Sequence, residues 1–332
     1  MTRWTVGLTL LMSAALLALG ACGGGEPGVV KVSLALDWYP NSNHAGLFIA
    51  QEKGYFEAEG IDLTLYTPAD PSSVLQTVGA GRDDFGISYQ PDLLLARAEG
   101  VPVVSVAGLV QHPLNSVMAL RTSGIARPRD LVGKKVGYPG IPLNEPMLKT
   151  MVEKDGGDFS KVELVNVGFD LVPAVLSKRV DAVVGTYWTH ENILIEQQGQ
   201  QVNIMHMEEW GVPDFYELVL VISEKTLNER PDVVRRTLRA ILKGYADAAA
   251  DLDAAVNTLV KSSPEVDRAL EERGIRLLAP AWKDGVPAFG WQTTERWRGF
   301  TAWMSAQNQL TKPVDADKAF TNRFVEELSK AR

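Results

Sequence analysis

The sequence has a single cysteine, no long block of like charge and only four histidines. One cysteine excludes disulfide staples and any thiolate metal or redox centre, so the folded part must rely on an ordinary hydrophobic core. His44, His112, His190 and His206 stand singly, with no pair at metal-ligand spacing. There is no Gly-x-Ser-x-Gly elbow, no phosphate loop and no Gly-rich dinucleotide fingerprint between a strand and a helix. These gaps leave no catalytic residue, no metal ligand set and no cofactor site to name. The formal net charge of -8 is spread evenly, which gives nucleic acid and anionic lipid nothing to bind.

What is present begins with a leader. Arg3 precedes an apolar run from Val6 to Leu19 that ends in Leu19-Gly20-Ala21-Cys22. The run is shorter than the roughly 20 residues that span a bilayer, and small residues before a cysteine fit a lipoprotein cleavage site. Cys22 is therefore expected to carry a lipid at the mature N-terminus, outside the cytoplasm, as the only membrane attachment. Losing Arg3 with the leader takes the net charge from -8 to -9. Gly23-Gly24-Gly25-Glu26-Pro27-Gly28 reads as a tether.

The roughly 300 residues that remain suit two lobes rather than one core. From Val29 onward, strand-like apolar runs alternate with helical patterns, which predicts an α/β architecture with parallel sheets covered by helices. Strands are predicted over Val30–Leu36, Ile61–Thr67, Asp84–Ser88 and Val103–Val110. The helices between them are Asn43–Gly54, capped by Ser42 or Asn43, a helix opening after Asp70, and Gln90–Glu99. A crossing strand over Val117–Arg121 leads to a second set, Lys134–Gly137, Val162–Val167 and Ala182–Gly185, and Leu218–Ile222 crosses back. The helix over Thr293–Asn308 presents Trp297, Ala302 and Trp303 toward the first lobe. This divides the chain into a leader (1–21), a tether (22–29), lobe one (30–116 with 219–332) and lobe two (117–218). Two lobes joined by two crossings make a clamshell, and ligands of open parallel sheets bind beyond the carboxyl ends of the strands.

The loops at those strand ends are rich in recognition groups. Asp37-Trp38-Tyr39-Pro40-Asn41-Ser42-Asn43-His44 follows the first strand, and Ser88-Tyr89-Gln90-Pro91, Gly137-Tyr138-Pro139-Gly140 and Gly185-Thr186-Tyr187-Trp188-Thr189-His190-Glu191 follow later ones. Trp210 to Glu217, with Tyr216 and Glu217, precedes the return crossing. A later set alone reads more readily as packing, since Tyr at a strand end is more often packing than contact; the four strand-end sets together converge on one cleft, and the fifth is placed to close over it. The candidate ligand-binding residues are Asp37, Trp38, Asn41, His44, Tyr89, Tyr138, Pro139, Tyr187, Trp188, Glu191, Tyr216 and Glu217. Indole and phenol rings stack a flat guest, and carboxylates accept hydrogen bonds from ring nitrogens. No arginine lies in the four main loops, which argues against a sulfonate, nitrate or bicarbonate cargo, although backbone amides at helix N-termini could still hold an anion.

Residues 31–62, KVSLALDWYPNSNHAGLFIAQEKGYFEAEGID, resemble the opening of the substrate-binding proteins grouped with the thiamine-pyrimidine synthases, most closely the ThiY-like members. The resemblance continues through Gly86 to Pro91, Gln111 to Asn115, Gly137 to Pro139, Gly185 to Glu191, Gly211 to Val221, Lys312 to Asp315 and Phe320 to Asn322. It implies a type II periplasmic-binding-protein fold, a monomer, an ABC permease with its ATPase subunits as partners, and N-formyl-4-amino-5-aminomethyl-2-methylpyrimidine as cargo. Members with near-identical patterns carry other rings, including riboflavin. The synthases build the pyrimidine from pyridoxal phosphate and an active-site histidine, and His44 falls at that position. Trp210 to Glu217, which matches their cysteine-rich segment, contains no cysteine, and the matching opening loop has no lysine.

Overall fold

The computed structural model describes residues 1–2 and 28–330. Cys22, the rest of the apolar leader and the tether up to residue 27 lie outside the described residues. The ten strands are β1 (Val30–Ala35), β2 (Ile61–Tyr66), β3 (Phe85–Ser88), β4 (Val103–Val110), β5 (Asn115–Leu120), β6 (Lys135–Tyr138), β7 (Glu163–Asn166), β8 (Ala182–Tyr187), β9 (Val202–His206) and β10 (Leu218–Ser223). They form two five-stranded sheets, ordered β2-β1-β3-β10-β4 and β7-β6-β8-β5-β9. The type II periplasmic-binding fold implied by the sequence is the fold observed.

The sheets are mixed rather than all parallel. β10 runs antiparallel to β3 and β4, and β5 runs antiparallel to β8 and β9. The segments over 117–121 and 218–222, read as crossings, are therefore interior strands. The chain passes between sheets in the short stretches before β5 and before β10. The alternation of strands and helices carries no sign of this, because an antiparallel strand buried on both faces is as continuously apolar as a parallel one. β10 has this character: Leu218, Leu220 and Ile222 enter one core while Val219 and Val221 enter the core on the opposite face, following the two-residue period of a strand.

Helices cover both faces. The helix Pro231–Ala250 starts with proline at its first turn, where the missing N–H costs nothing, and buries Val234, Leu238, Ile241, Leu242 and Tyr245. Full burial of each such side chain contributes about 1.5 to 3 kcal/mol. It packs on the helix Ala45–Glu52 through glycine: a Cβ on Gly244 would lie 2.1 Å from the Gly46 carbonyl oxygen. In the helix Thr294–Ala306 the inward residues are Trp297, Phe300, Thr301, Trp303 and Met304; Ala302 is exposed. Trp297 stacks on Phe320 with ring centroids 5.5 Å apart, and the Trp303 indole N–H donates to Thr150 Oγ1 at 3.2 Å, tying this C-terminal helix to the side of the other sheet. A further helix, Arg268–Leu278, opens on Asp267, whose carboxylate accepts from Ala269 N and Leu270 N.

Candidate ligand-binding cleft

The strand ends of the two sheets enclose a cavity of about 720 Å³, within the range of small-molecule sites. Of the residues singled out in the sequence, Asp37, Trp38, Asn41, Tyr89, Pro139, Tyr187, Glu191 and Glu217 line it. They come from loops spread over 181 positions, so the strand-end argument places them together.

Asn41 begins the segment after Trp38 by capping it. Its side chain accepts from Asn43 N, while its own N–H donates to His44 Nδ1 at 3.2 Å. With Nδ1 accepting, the proton of the neutral ring sits on Nε2, which donates to Asp37 Oδ1 at 2.8 Å. Tyr89 OH donates to the other oxygen, Asp37 Oδ2, at 2.7 Å. On the facing side Tyr187 OH donates to Glu217 Oε1 at 2.7 Å, and Leu114 N and Asn115 N donate to Glu217 Oε2 at 2.7 and 3.2 Å. Tyr187 N donates to Glu191 Oε2 at 2.7 Å, and His190 Nδ1 lies 2.9 Å from Glu191 Oε1. Every one of these carboxylates is thus fixed by protein donors while keeping spare lone pairs.

Burial pushes the Glu217 carboxyl up to about 7, against the lowering effect of its three donors and with the Asp37 charge adding to the rise. Burial, together with neighbouring carboxylates, also holds the Tyr89 and Tyr187 phenols well above their ordinary range, so both remain neutral donors. At the mouth Trp38 stands 41% exposed and meets Phe169 from the second lobe at 5.5 Å between centroids.

Four of the residues singled out do not line the cavity. His44 is fully buried behind Asp37; its ring serves the capping box, a role that the Asn41-x-x-His44 spacing signals. Tyr216 is fully buried and turned away, its hydroxyl accepting from Thr293 N at 2.6 Å and its ring beside Trp297. Trp188 donates its indole N–H to Pro113 O at 3.0 Å and lies edge-on to His206. Tyr138 packs against the core that holds Val136 and Met147. At two of these strand ends the side chain that faces inward is the neighbour, Pro139 or Tyr187, as the alternation of a strand requires.

Other lining residues give little sequence signal. Glu271, from the Arg268–Leu278 helix, accepts from Ser42 N at 2.6 Å and from the Ser42 hydroxyl, 229 positions away. Gly274, on the same helix, lets the backbone approach the second lobe: a Cβ there would sit 3.0 Å from Thr189 O. Asn144, at the start of the helix Asn144–Lys154, is 2% exposed and lines the cavity. Among the described residues the lining includes six carboxylates, Asp37, Asp92, Glu99, Glu191, Glu217 and Glu271, and neither lysine nor arginine.

Comparison with known proteins gives the same picture at the level of the family. Residues 41–255 match the family described as NMT1/THI5 like. A formylaminopyrimidine-binding protein of Halalkalibacterium halodurans is 40% identical over 93% of this chain and 96% of its own length. A riboflavin-binding protein, RibY, of Chloroflexus aurantiacus is 28% identical over 90% of this chain and 87% of its own. Among solved structures, the periplasmic aliphatic sulphonate binding protein SsuA of Escherichia coli superposes with a TM-score of 0.72, at 14% identity, over 87% of this chain and 91% of that one. By the extent of these matches, the chain belongs to the NMT1/THI5-like family.

Proposed function

We propose that the chain is the solute-binding component of an ABC importer, which captures a thiamin pyrimidine precursor of the formylaminopyrimidine type between its lobes and hands it to a permease driven by ATPase subunits. The observation that carries this reading is the lining of the cleft, where six carboxylates stand beside Trp38, Tyr89 and Tyr187 with neither lysine nor arginine among the described lining residues. Such a wall offers an anion no cationic side chain of lysine or arginine and offers hydrogen-bond acceptors to a flat ring that presents N–H groups. The sulfonate named for the structural neighbour is therefore a poor guest here, despite the shared fold. The relative at 40% identity supports the pyrimidine.

The chain acts in this reading as a carrier and not a catalyst: His44, at the synthase position, is locked behind Asp37, and Trp210 to Glu217 supply no thiol. Cys22 would anchor it by lipid outside the cytoplasm, supported by the leader pattern, and a Cys22→Ser variant should lose incorporation of labelled fatty acid. Calorimetry of the purified protein with N-formyl-4-amino-5-aminomethyl-2-methylpyrimidine should give a dissociation constant of about micromolar or tighter, or ~8 kcal/mol. Heat with riboflavin and none with the pyrimidine would overturn the cargo.

A further inference from the structure

Five of the cleft carboxylates, Asp37, Glu99, Glu191, Glu217 and Glu271, are held by groups of the protein itself, whereas three amides are not. The side-chain oxygens of Asn43, Asn115 and Asn144 are buried without a hydrogen-bond partner, and all three residues line the cavity. Asn144 is the most deeply placed, at 2% exposure. A buried acceptor left unpaired is costly, and native structures rarely tolerate one without a reason. The surroundings of Asn144 are also shaped around it. Gly185 has a φ of +95° and occupies an irregularity in the β5–β8 pairing, where Ser116 faces Thr186 and Val117 faces Val184. A Cβ on Gly185 would lie 2.8 Å from Pro139 Cδ and 3.4 Å from Asn144 Oδ1. A bulge of this kind beside a binding site is a built feature: with no Cβ at Gly185, the space next to the amide stays free.

We propose that Asn144 is a specificity-determining residue whose amide oxygen accepts an N–H of the bound heteroaromatic ligand. This rests on the carrier reading above and adds to it the chemistry of discrimination. A carboxylate already bonded to a tyrosine and to backbone amides contributes charge and shape; the vacant amide oxygen selects for a donor at one position of the ring or its substituent. A guest that is equally flat but carries no N–H there leaves the amide buried and unpaired, and a pocket built to pair a polar group rejects such a guest strongly.

The test is a double-mutant cycle by calorimetry. The ligands are N-formyl-4-amino-5-aminomethyl-2-methylpyrimidine and two analogues, one with the ring amine dimethylated and one with the formamide nitrogen methylated. The proteins are wild type, Asn144→Ala and Asn144→Asp, the last keeping an acceptor. Asn144→Ala should lose about tenfold to a hundredfold in affinity for the parent ligand, and Asn144→Asp should retain most of it. Against one of the analogues, wild type and Asn144→Ala should bind alike, because the donor is already gone. Thermal melts of the unliganded proteins separate a lost contact from a lost fold, since a residue that serves only the ligand can be truncated without lowering the melting temperature. Unchanged affinity in Asn144→Ala, an equal loss for all three ligands, or a loss matched by Asn144→Asp would each overturn the assignment while leaving the carrier reading intact. Absence of any heat between wild type and the parent pyrimidine would overturn both.

Discussion

At the scale of single residues, the cleft separates groups that meet a guest from groups that hold other groups in place. Trp38 is proposed to be of the first kind. Its ring is 41% exposed at the mouth and supports no core, so Trp38→Ala should weaken pyrimidine binding by about 1 to 3 kcal/mol while leaving the urea unfolding midpoint unchanged; normal binding by the variant would remove Trp38 from the site. Glu217 is of the second kind, and it makes stability depend on pH. Its carboxyl is pushed from an ordinary 4.5 up to about 7 in the folded protein, so between those values the folded state holds a proton that the unfolded chain has released. Stability from this group therefore falls as pH rises through that window, by on the order of 3 kcal/mol in total, and changes no further above about 7. Glu217→Gln keeps the shape without the ionisation, and the difference between the wild-type and variant unfolding free energies should shift in the variant's favour from pH 4.5 to 7.5; parallel curves would show that Glu217 titrates normally. Asp37, Trp38, Tyr89, Tyr187 and Glu217 are legible in the sequence because each sits in a strand-end loop with polar neighbours. Glu271 and Asn144 are not: Glu271 pairs with Ser42 across 229 positions, and Asn144 has the same local pattern as any polar residue that opens a helix.

Elements show a similar division between what periodicity reveals and what packing adds. The helix Pro231–Ala250 is plain from its 3.6-residue pattern, yet its closest contact, the approach of Gly244 to the Gly46 carbonyl, depends on a missing side chain that no hydrophobic pattern registers. In an isolated helix an alanine would be favoured over Gly244 by roughly 1 kcal/mol, but here the added methyl has nowhere to go. Gly244→Ala should therefore destabilise the protein by about 1 to 3 kcal/mol, the usual cost of overpacking, read as a lower urea midpoint at unchanged slope; a stabilised variant would mean that the two helices part without penalty. The Arg268–Leu278 helix is legible as part of a largely helical stretch after Pro231, with Leu270, Ile275 and Leu278 on one face and Asp267 as its N-cap; what the pattern does not show is that Gly274, a poor helix former, lies on the buried face. β9 is short, with only Val202 and Met205 buried, and an edge strand of that kind leaves a weak alternation. The direction of β5 and β10 is not legible in the sequence at all, because strand direction is set by which neighbours a strand finds and not by its own residues.

For the whole molecule the governing fact is that the chain enters the second sheet once and returns once, so a guest in the cleft touches both halves of a single connected body. Two lobes and a cleft between them are legible in the alternating strands and helices; how closely the lobes approach is not, because that depends on contacts made across the gap. One of these is backbone to backbone. The Arg268–Leu278 helix from the first lobe reaches Thr189 of the second through Gly274, flanked by an exposed Arg273–Glu196 pair that is worth little by itself. A guest held from both sides must bring the lobes to this separation, and its binding free energy includes whatever resists that approach. Gly274→Val places a branched side chain where a Cβ alone would be 3.0 Å from Thr189 O. Replacing a mid-helix glycine does not itself weaken the helix, so any fall in the melting temperature of the unliganded variant reports the crowding against Thr189 O alone. Ligand at a hundredfold excess over its dissociation constant should stabilise the wild type by about 2.7 kcal/mol, or roughly 4 °C for a protein of this size. At the same ligand concentration Gly274→Val should gain markedly less, and its radius of gyration in solution scattering should decrease less on adding the pyrimidine. A variant that matched wild type in both thermal shift and compaction would show that the lobes reach their liganded separation without the Gly274 contact, and that closure is governed by the guest and the rings around it alone.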